Sequence, residues 1–188
     1  KKVDEFIKGY LRRQKKSSLI KPMKYGVLSG GKKIRSSIII STGKLLNINP
    51  NKLLYICGAV ECIHSYSLIH DDLPCMDNDN LRRGKLTTHK KFNESTAILA
   101  GNSLLTIAFQ ILSQKKLNLS DKKKIKLINL LSESSGHAGI AGGQFLDLSF
   151  EKIKKNKRQI IDMQIKKTGK LFSFCCVAPI ILSGKLEY

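Results

Sequence analysis

The chain has 188 residues, 34 of them Lys or Arg against 14 Asp or Glu, so its formal net charge is +20, while 41% of its residues are hydrophobic. That length and apolar fraction describe one large domain, or part of one, and exclude a disordered polycation. With only six arginines, 6% aromatics and no Trp, the chain is poor in what nucleic-acid readers use, bidentate Arg contacts and stacking rings; the lysine clusters at 115–116, 122–124 and 152–157 read as solvated faces more than as a polyanion-binding face.

The N-terminus, Lys1-Lys2-Val3-Asp4, has neither an initiator Met nor the features of a signal peptide, so the chain reads as part of a longer gene product. Helical spacing dominates after that, and strand-like alternation is scarce. Gly30-Gly31-Lys32-Lys33-Ile34-Arg35 precedes a helix; Lys32 and Arg35, three apart, are expected to share a helix face, and the glycines admit an anion close to the backbone. From Leu53 to about Leu73 apolar residues recur at helical spacing until Pro74 stops the helix. Glu94 to Leu112 is apolar on almost every side, the pattern of a central helix in an all-α core.

Further along, Asp121 is the expected N-cap of a helix with Ile125, Ile128 and Leu131 facing inward and Gly136 at its end. The run Gly136 to Gly143 is either a flexible loop or a place where helices or a ligand approach the backbone closely. A last helical stretch, about Gln159 to Leu182, carries Lys166, Lys167 and Thr168 in its first half and is expected to kink near Pro179. The longest apolar run, Phe172 to Leu182, is too short and too interrupted to span a membrane, so no membrane insertion is expected. Five cysteines without C-x-x-C or zinc spacing are expected as buried, reduced thiols of a cytoplasmic protein.

Most informative is where the few acids lie. Asp71, Asp72, Asp77 and Asp79 fall within nine positions of a Lys-rich chain. Like charges about 4 Å apart repel by about 1 kcal/mol in water and about 4 kcal/mol at an effective dielectric of about 20, so the cluster calls for a cation. Hard oxygen ligands select Mg²⁺ or Ca²⁺. A calcium loop starting at Asp77 fails, because Arg82 stands where Gly is needed and Thr88 where Glu is needed. Arg82-Arg83-Gly84 follows directly, and metal-holding carboxylates beside paired arginines make a site for a diphosphate. A polar turn with a fortuitous run of Asp is the plain alternative. His64 lies two helical turns before Asp71 and so tends toward the same cleft, although a lone helix His is more often structural.

These residues resemble a known family. Val60-Glu-Cys-Ile-His-Ser-Tyr-Ser-Leu-Ile-His-Asp-Asp-Leu-Pro-Cys-Met-Asp77 with Leu81-Arg-Arg-Gly84 is similar to the first aspartate-rich motif of trans-polyprenyl diphosphate synthases, in particular the bacterial farnesyl diphosphate synthase type. Gly30-Gly31-Lys32 with Arg35, Ala97 to Gly101, Gly142 to Leu148 and Lys167-Thr168-Gly169 follow in the family's order. The resemblance implies an all-α fold: a single large helical bundle of the isoprenoid synthase type around a central cavity, one domain over 1–188 that is incomplete at its C-terminus. It implies condensation of isopentenyl diphosphate with dimethylallyl and then geranyl diphosphate to give farnesyl diphosphate.

By that resemblance Lys32, Arg35, His64 and Arg83 hold isopentenyl diphosphate. Asp71 and Asp77 are the principal ligands of Mg²⁺, two or more ions per subunit, with Asp72 in support. Arg82, Lys167, Thr168 and Gln144 serve the allylic diphosphate, and Asp147 lines the same side. Asp71, Asp72, Asp77, Arg82 and Lys167 are the implied catalytic set. Tyr66, five positions before the first Asp, would gate product length, and with the inserted Pro74-Cys75 it points to a fifteen-carbon product. A homodimer joined through apolar helices such as Glu94 to Leu112 is implied, with small-molecule diphosphates and no nucleic acid as partners. Asn78, Asn80 and Asn102 stand where the family commonly has Asp, and the second aspartate-rich motif is expected beyond Tyr188. The alternatives are a non-catalytic helical partner subunit of such an enzyme, or a relative that makes geranyl or geranylgeranyl diphosphate.

Overall fold

Helix follows helix along nearly the whole chain in the computed structural model, which describes residues 1–151 and 154–185. Helix α1 (Lys2–Arg12) turns Val3, Ile7, Tyr10 and Leu11 inward at helical spacing. Helix α2 (Ile20–Val27) and helix α3 (Ile34–Leu45) follow. Helix α4 (Pro50–Asp71) begins with Pro, where a missing N–H costs nothing, and the Asn49 side chain caps it. A hairpin of β1 (Leu81–Arg82) and β2 (Lys85–Leu86) turns on Arg83 and Gly84, both at positive φ, a turn whose twist suits tight hairpins.

The short α5 (Thr88–Lys91) leads to α6 (Glu94–Ser113), capped by Asn93 accepting from the Thr96 amide at 2.7 Å. Helices α7 (Asp121–Ser135), α8 (Ile140–Phe150) and α9 (Lys157–Gln164) follow. A π turn at Ile165–Gly169 then runs into α10 (Lys170–Ser183). Helices α4 and α6 pair most extensively, and the core they share includes Ile56, Val60, Ile63, Leu104, Ile111 and Phe174. The all-α expectation holds apart from the small hairpin.

Several local expectations do not hold. Ser120, not Asp121, caps α7, and Asp121 sits in its first turn, where a negative charge meets the positive helix end. On α7 Leu131 is buried and Ile128 packs against the core as expected, but Ile125 is 65% exposed and Leu127 takes the inward position instead. Pro179 lies buried inside α10, which continues to Ser183, so the irregularity falls upstream at the π turn. Gly136 to Gly143 is not a free loop, since α8 begins within it.

Helix α6 is long and apolar enough by length and composition alone to cross a membrane, against the expectation that no segment is. Its residues Ala97, Ala100, Leu104, Ala108, Ile111 and Leu112 are nevertheless buried among other helices, which makes it a core helix with Ile98 and Leu99 outward. Cys57, Cys62 and Cys175 are buried thiols, but Cys75 and Cys176 are exposed. Lys152 of the third lysine cluster and Tyr188 lie outside the described residues.

Candidate active site

Two regions meet at the hairpin turn. The first is a cavity of about 460 Å³ bounded by the turn before α3, the start of α3, the middle of α4 and Arg83. Gly30, Gly31 and Lys33 take positive φ there, so α3 begins only at Ile34. Lys32 therefore precedes the helix rather than sharing a helix face with Arg35, yet both line the cavity. Gly31 is required by contact as well as by φ: a Cβ there would collide with the Arg83 guanidinium, which donates to the Gly30 carbonyl.

Arg35 lies 4.7 Å above the Phe172 ring and donates toward His64 Nε2 at 3.4 Å, while its buried Nε has no partner. Burial first, and then the charges of Arg35, Arg83 and Lys33, push the His64 imidazole down to about 3. His64 is thus neutral at ordinary pH and accepts from Arg35. The cavity contains a carboxylate that sequence reading missed. Glu61 accepts from Ser36 Oγ at 2.6 Å and pairs with Lys33 at 3.2 Å. Its one signal in the sequence is a lone acid within the apolar run Cys57 to Ile63, one turn before His64.

The second region lies where α4 ends. The loop after it folds back, with the Asp77 amide donating to the Asp71 carbonyl at 2.8 Å and the Asn78 amide to that of Leu73 at 3.1 Å. Burial pushes the Asp71 carboxyl up to about 6; Lys167 and Arg82 oppose the shift, and Asp77 and Asp72 reinforce it. Asp72 is buried and bound to Arg82, whose Nη2 is 2.5 Å and Nε 2.6 Å from Asp72 Oδ1, and Arg82 also reaches Asp79 at 3.2 Å. Burial raises the Asp72 carboxyl, with Arg82 pulling against it.

Lys167 sits in the π turn, 2.5 Å from Asp147 Oδ2, and Gly143 admits its backbone so closely that a Cβ would overlap it. Thr168, next in that turn, is exposed. Gln144 is buried, with Nε2 3.5 Å from Asp77 Oδ1 and Oε1 unpartnered. Tyr66 is half-buried, its ring edge-on to His70 at 5.3 Å, and burial together with Asp71 raises its phenol.

The sequence-predicted residues thus divide. Lys32, Arg35, His64 and Arg83 share the cavity; Asp71, Asp77, Gln144 and Lys167 gather around the end of α4; Arg82 and Asp72 bind each other beside them. Among the described residues no three His, Cys, Asp or Glu side chains converge as a closed metal site. The donors fit Mg²⁺ all the same. Asp71 is half-buried near the exposed Asp77 and its charge is disfavoured there, and Mg²⁺ characteristically takes one or two carboxylates and completes its shell with water and substrate phosphate.

A profile of the polyprenyl synthetase family matches residues 16–187. The chain is 52% identical over 155 residues to a farnesyl diphosphate synthase of Buchnera aphidicola subsp. Acyrthosiphon pisum, covering 82% of this chain and 55% of that protein. It is 50% identical over 134 residues to the farnesyl diphosphate synthase of Escherichia coli, covering 71% and 45%. The crystal structure of an FPP/GFPP synthase from Zymomonas mobilis superposes with a TM-score of 0.93 at 39% identity, covering 97% of this chain and 67% of that one. The chain spans about half the length of the curated relatives it matches.

Proposed function

The chain belongs to the polyprenyl synthetase family, and from that premise we propose that its protein is a prenyltransferase joining isopentenyl diphosphate to an allylic diphosphate, dimethylallyl and then geranyl, to give farnesyl diphosphate. One observation carries this reading. Consecutive arginines on a single tight turn serve different compartments, Arg83 the cationic cavity and Arg82 the carboxylate end of α4. Such a turn suits two diphosphates held side by side.

On this reading Lys32, Arg35, Arg83 and neutral His64 hold isopentenyl diphosphate. Asp71 and Asp77 hold Mg²⁺, which when bound supplies Lewis-acid neutralisation of a diphosphate leaving group. Arg82, Lys167 and Thr168 bind the allylic diphosphate, the first two by exchanging part of their pairing with Asp72 and Asp147 for phosphate oxygens. Their positive charge stabilises the negative charge that grows on the departing diphosphate as the allylic C–O bond breaks. The double bond of isopentenyl diphosphate then attacks the allylic cation, and loss of a proton restores a double bond. Gln144, buried beside Asp77, orients that carboxylate. Tyr66 limits product length from the wall of α4, and the bundle excludes water that would quench the cation.

The chain forms one domain on this reading, in a homodimer whose interface includes outward Ile98 and Leu99 of α6. A cytoplasmic site of action is part of the same proposal, supported by five unpaired cysteines. The test is Mg²⁺-dependent release of diphosphate by the full-length protein from isopentenyl and geranyl diphosphates, with chromatography of the product. Farnesyl diphosphate is expected from the wild type and longer chains from Tyr66→Ala. No diphosphate release would refute the enzyme and favour a non-catalytic subunit, and an unchanged product from Tyr66→Ala would refute the gate.

A further inference from the structure

A carboxylate in the wall of an anion-binding cavity repels the ligand unless its charge is matched, so the place of Glu61 needs a reason. Glu61 is 3% exposed. It accepts from Ser36 Oγ at 2.6 Å and holds Lys33 Nζ at 3.2 Å. Lys33 also donates to the Val27 carbonyl at 3.2 Å and lies 3.4 Å from Asp4 on its outer side, so its ammonium is committed within the protein. Lys32, one residue earlier, is exposed and lines the cavity. His64, neutral beside Arg35, adds no charge.

We propose that Glu61 is a specificity-determining residue: by cancelling Lys33 it leaves Lys32, Arg35 and Arg83 as the free cations, tuning the cavity to a diphosphate against more highly charged phosphate chains. The inference rests on the reading of this cavity as a diphosphate site. A charge on a partly buried wall acts through a low effective dielectric, and its effect grows with the charge of the ligand. The two lysines of Gly-Gly-Lys-Lys therefore differ in role, Lys32 meeting the ligand and Lys33 acting through Glu61.

The test is calorimetric titration of the full-length protein, without Mg²⁺, with inorganic diphosphate and with tripolyphosphate; the readout is the ratio of their Kd values. Glu61→Gln leaves Lys33 with Asp4 as its remaining acidic partner, makes the cavity wall more positive by one unit of charge, and should move that ratio toward tripolyphosphate by roughly fivefold. Lys33→Met should move it the opposite way, the double variant should return it near the wild-type value, and Glu61→Asp should leave it in place. Lost packing weakens both ligands together without changing the ratio, so the ratio separates this role from a structural one. If Glu61→Gln does not fold, Lys33→Met reads the same quantity. A wild type that binds diphosphate, with no ratio shift in any folded single variant, overturns the inference and leaves the cavity reading intact. A wild type that binds no diphosphate overturns both.

Discussion

Arg83 and Arg82 are neighbours on one turn, yet the regions they serve are prepared in opposite ways. In the cavity Arg35 Nε is buried without a partner, His64 is kept neutral, and the one acid is already matched by Lys33. That side has donors in place and exchanges little when an anion arrives. At the end of α4 the cations are engaged: Arg82 with Asp72 and Asp79, Lys167 with Asp147. Asp71 is left with its charge opposed by burial and by Asp77. An anion bound there would have to exchange ion pairs and bring in positive charge, so the proposed function assigns an anion alone to the first side and an anion together with a metal to the second.

The largest expected effect breaks that comparison at its metal side. Asp71→Ala in the full-length protein should lower kcat by on the order of 10³-fold, as removal of a main electrostatic group at a reacting centre does. Mg²⁺-free binding of inorganic diphosphate should stay within about twofold of the wild type, since the charge removed is not part of the cavity wall. Steady-state diphosphate release and calorimetry read the two quantities, and a parallel loss of both would show that the regions are not separable.

A smaller effect is expected from the other arginine of the turn. Arg83→Gln removes a charged donor from the cavity but leaves the pairs of Arg82 with Asp72 and Asp79. Diphosphate affinity and KM for isopentenyl diphosphate should each weaken by about tenfold, with kcat changed little at saturation. A fall in kcat at unchanged KM would place Arg83 with the carboxylate side instead.

The same contrast explains what the sequence made legible. Four aspartates in a Lys-rich chain stand out because like charges need a cation, so the carboxylate end could be read from charge and spacing. The two long helices, α4 and α6, were legible from their apolar pattern, with Pro74 marking the stop after α4. Helices α1 and α2 were not read, since a short amphipathic helix gives a weak signal against its basic surroundings. Glu61 was missed because one acid in an apolar helix looks like a tolerated exception until Ser36 and Lys33 are seen to close on it. The outward turn of Ile125 and the π turn that carries Lys167 depend on packing against other helices, which spacing along one element does not report. Pro179 inside α10 is the same lesson: the rule that Pro breaks helices gives way where tertiary packing holds the helix together.

The smallest expected effects concern acid, and here the two regions should respond with opposite sign. His64 is held down to about 3 from an ordinary value of 6.5, so between those values the unfolded chain binds the proton and the folded chain does not. Its contribution to stability is present above pH 6.5 and is lost as pH falls toward 3. Asp71 is raised from 3.8 to about 6, so the folded chain holds the extra proton; its contribution is full below pH 3.8 and is lost as pH rises through about 6. His64→Gln should therefore gain stability relative to the wild type more at pH 5 than at pH 7, and Asp71→Asn more at pH 7 than at pH 5. Urea midpoints of the two variants and the wild type at both pH values, without Mg²⁺, measure this directly. Mg²⁺ would mask the second effect by favouring the ionised Asp71, so its addition should abolish the Asp71→Asn advantage at pH 7 and leave the His64→Gln difference in place. Shifts of the same sign in both variants would mean that the cavity and the carboxylate end titrate as one network, and the division at the hairpin turn would fail.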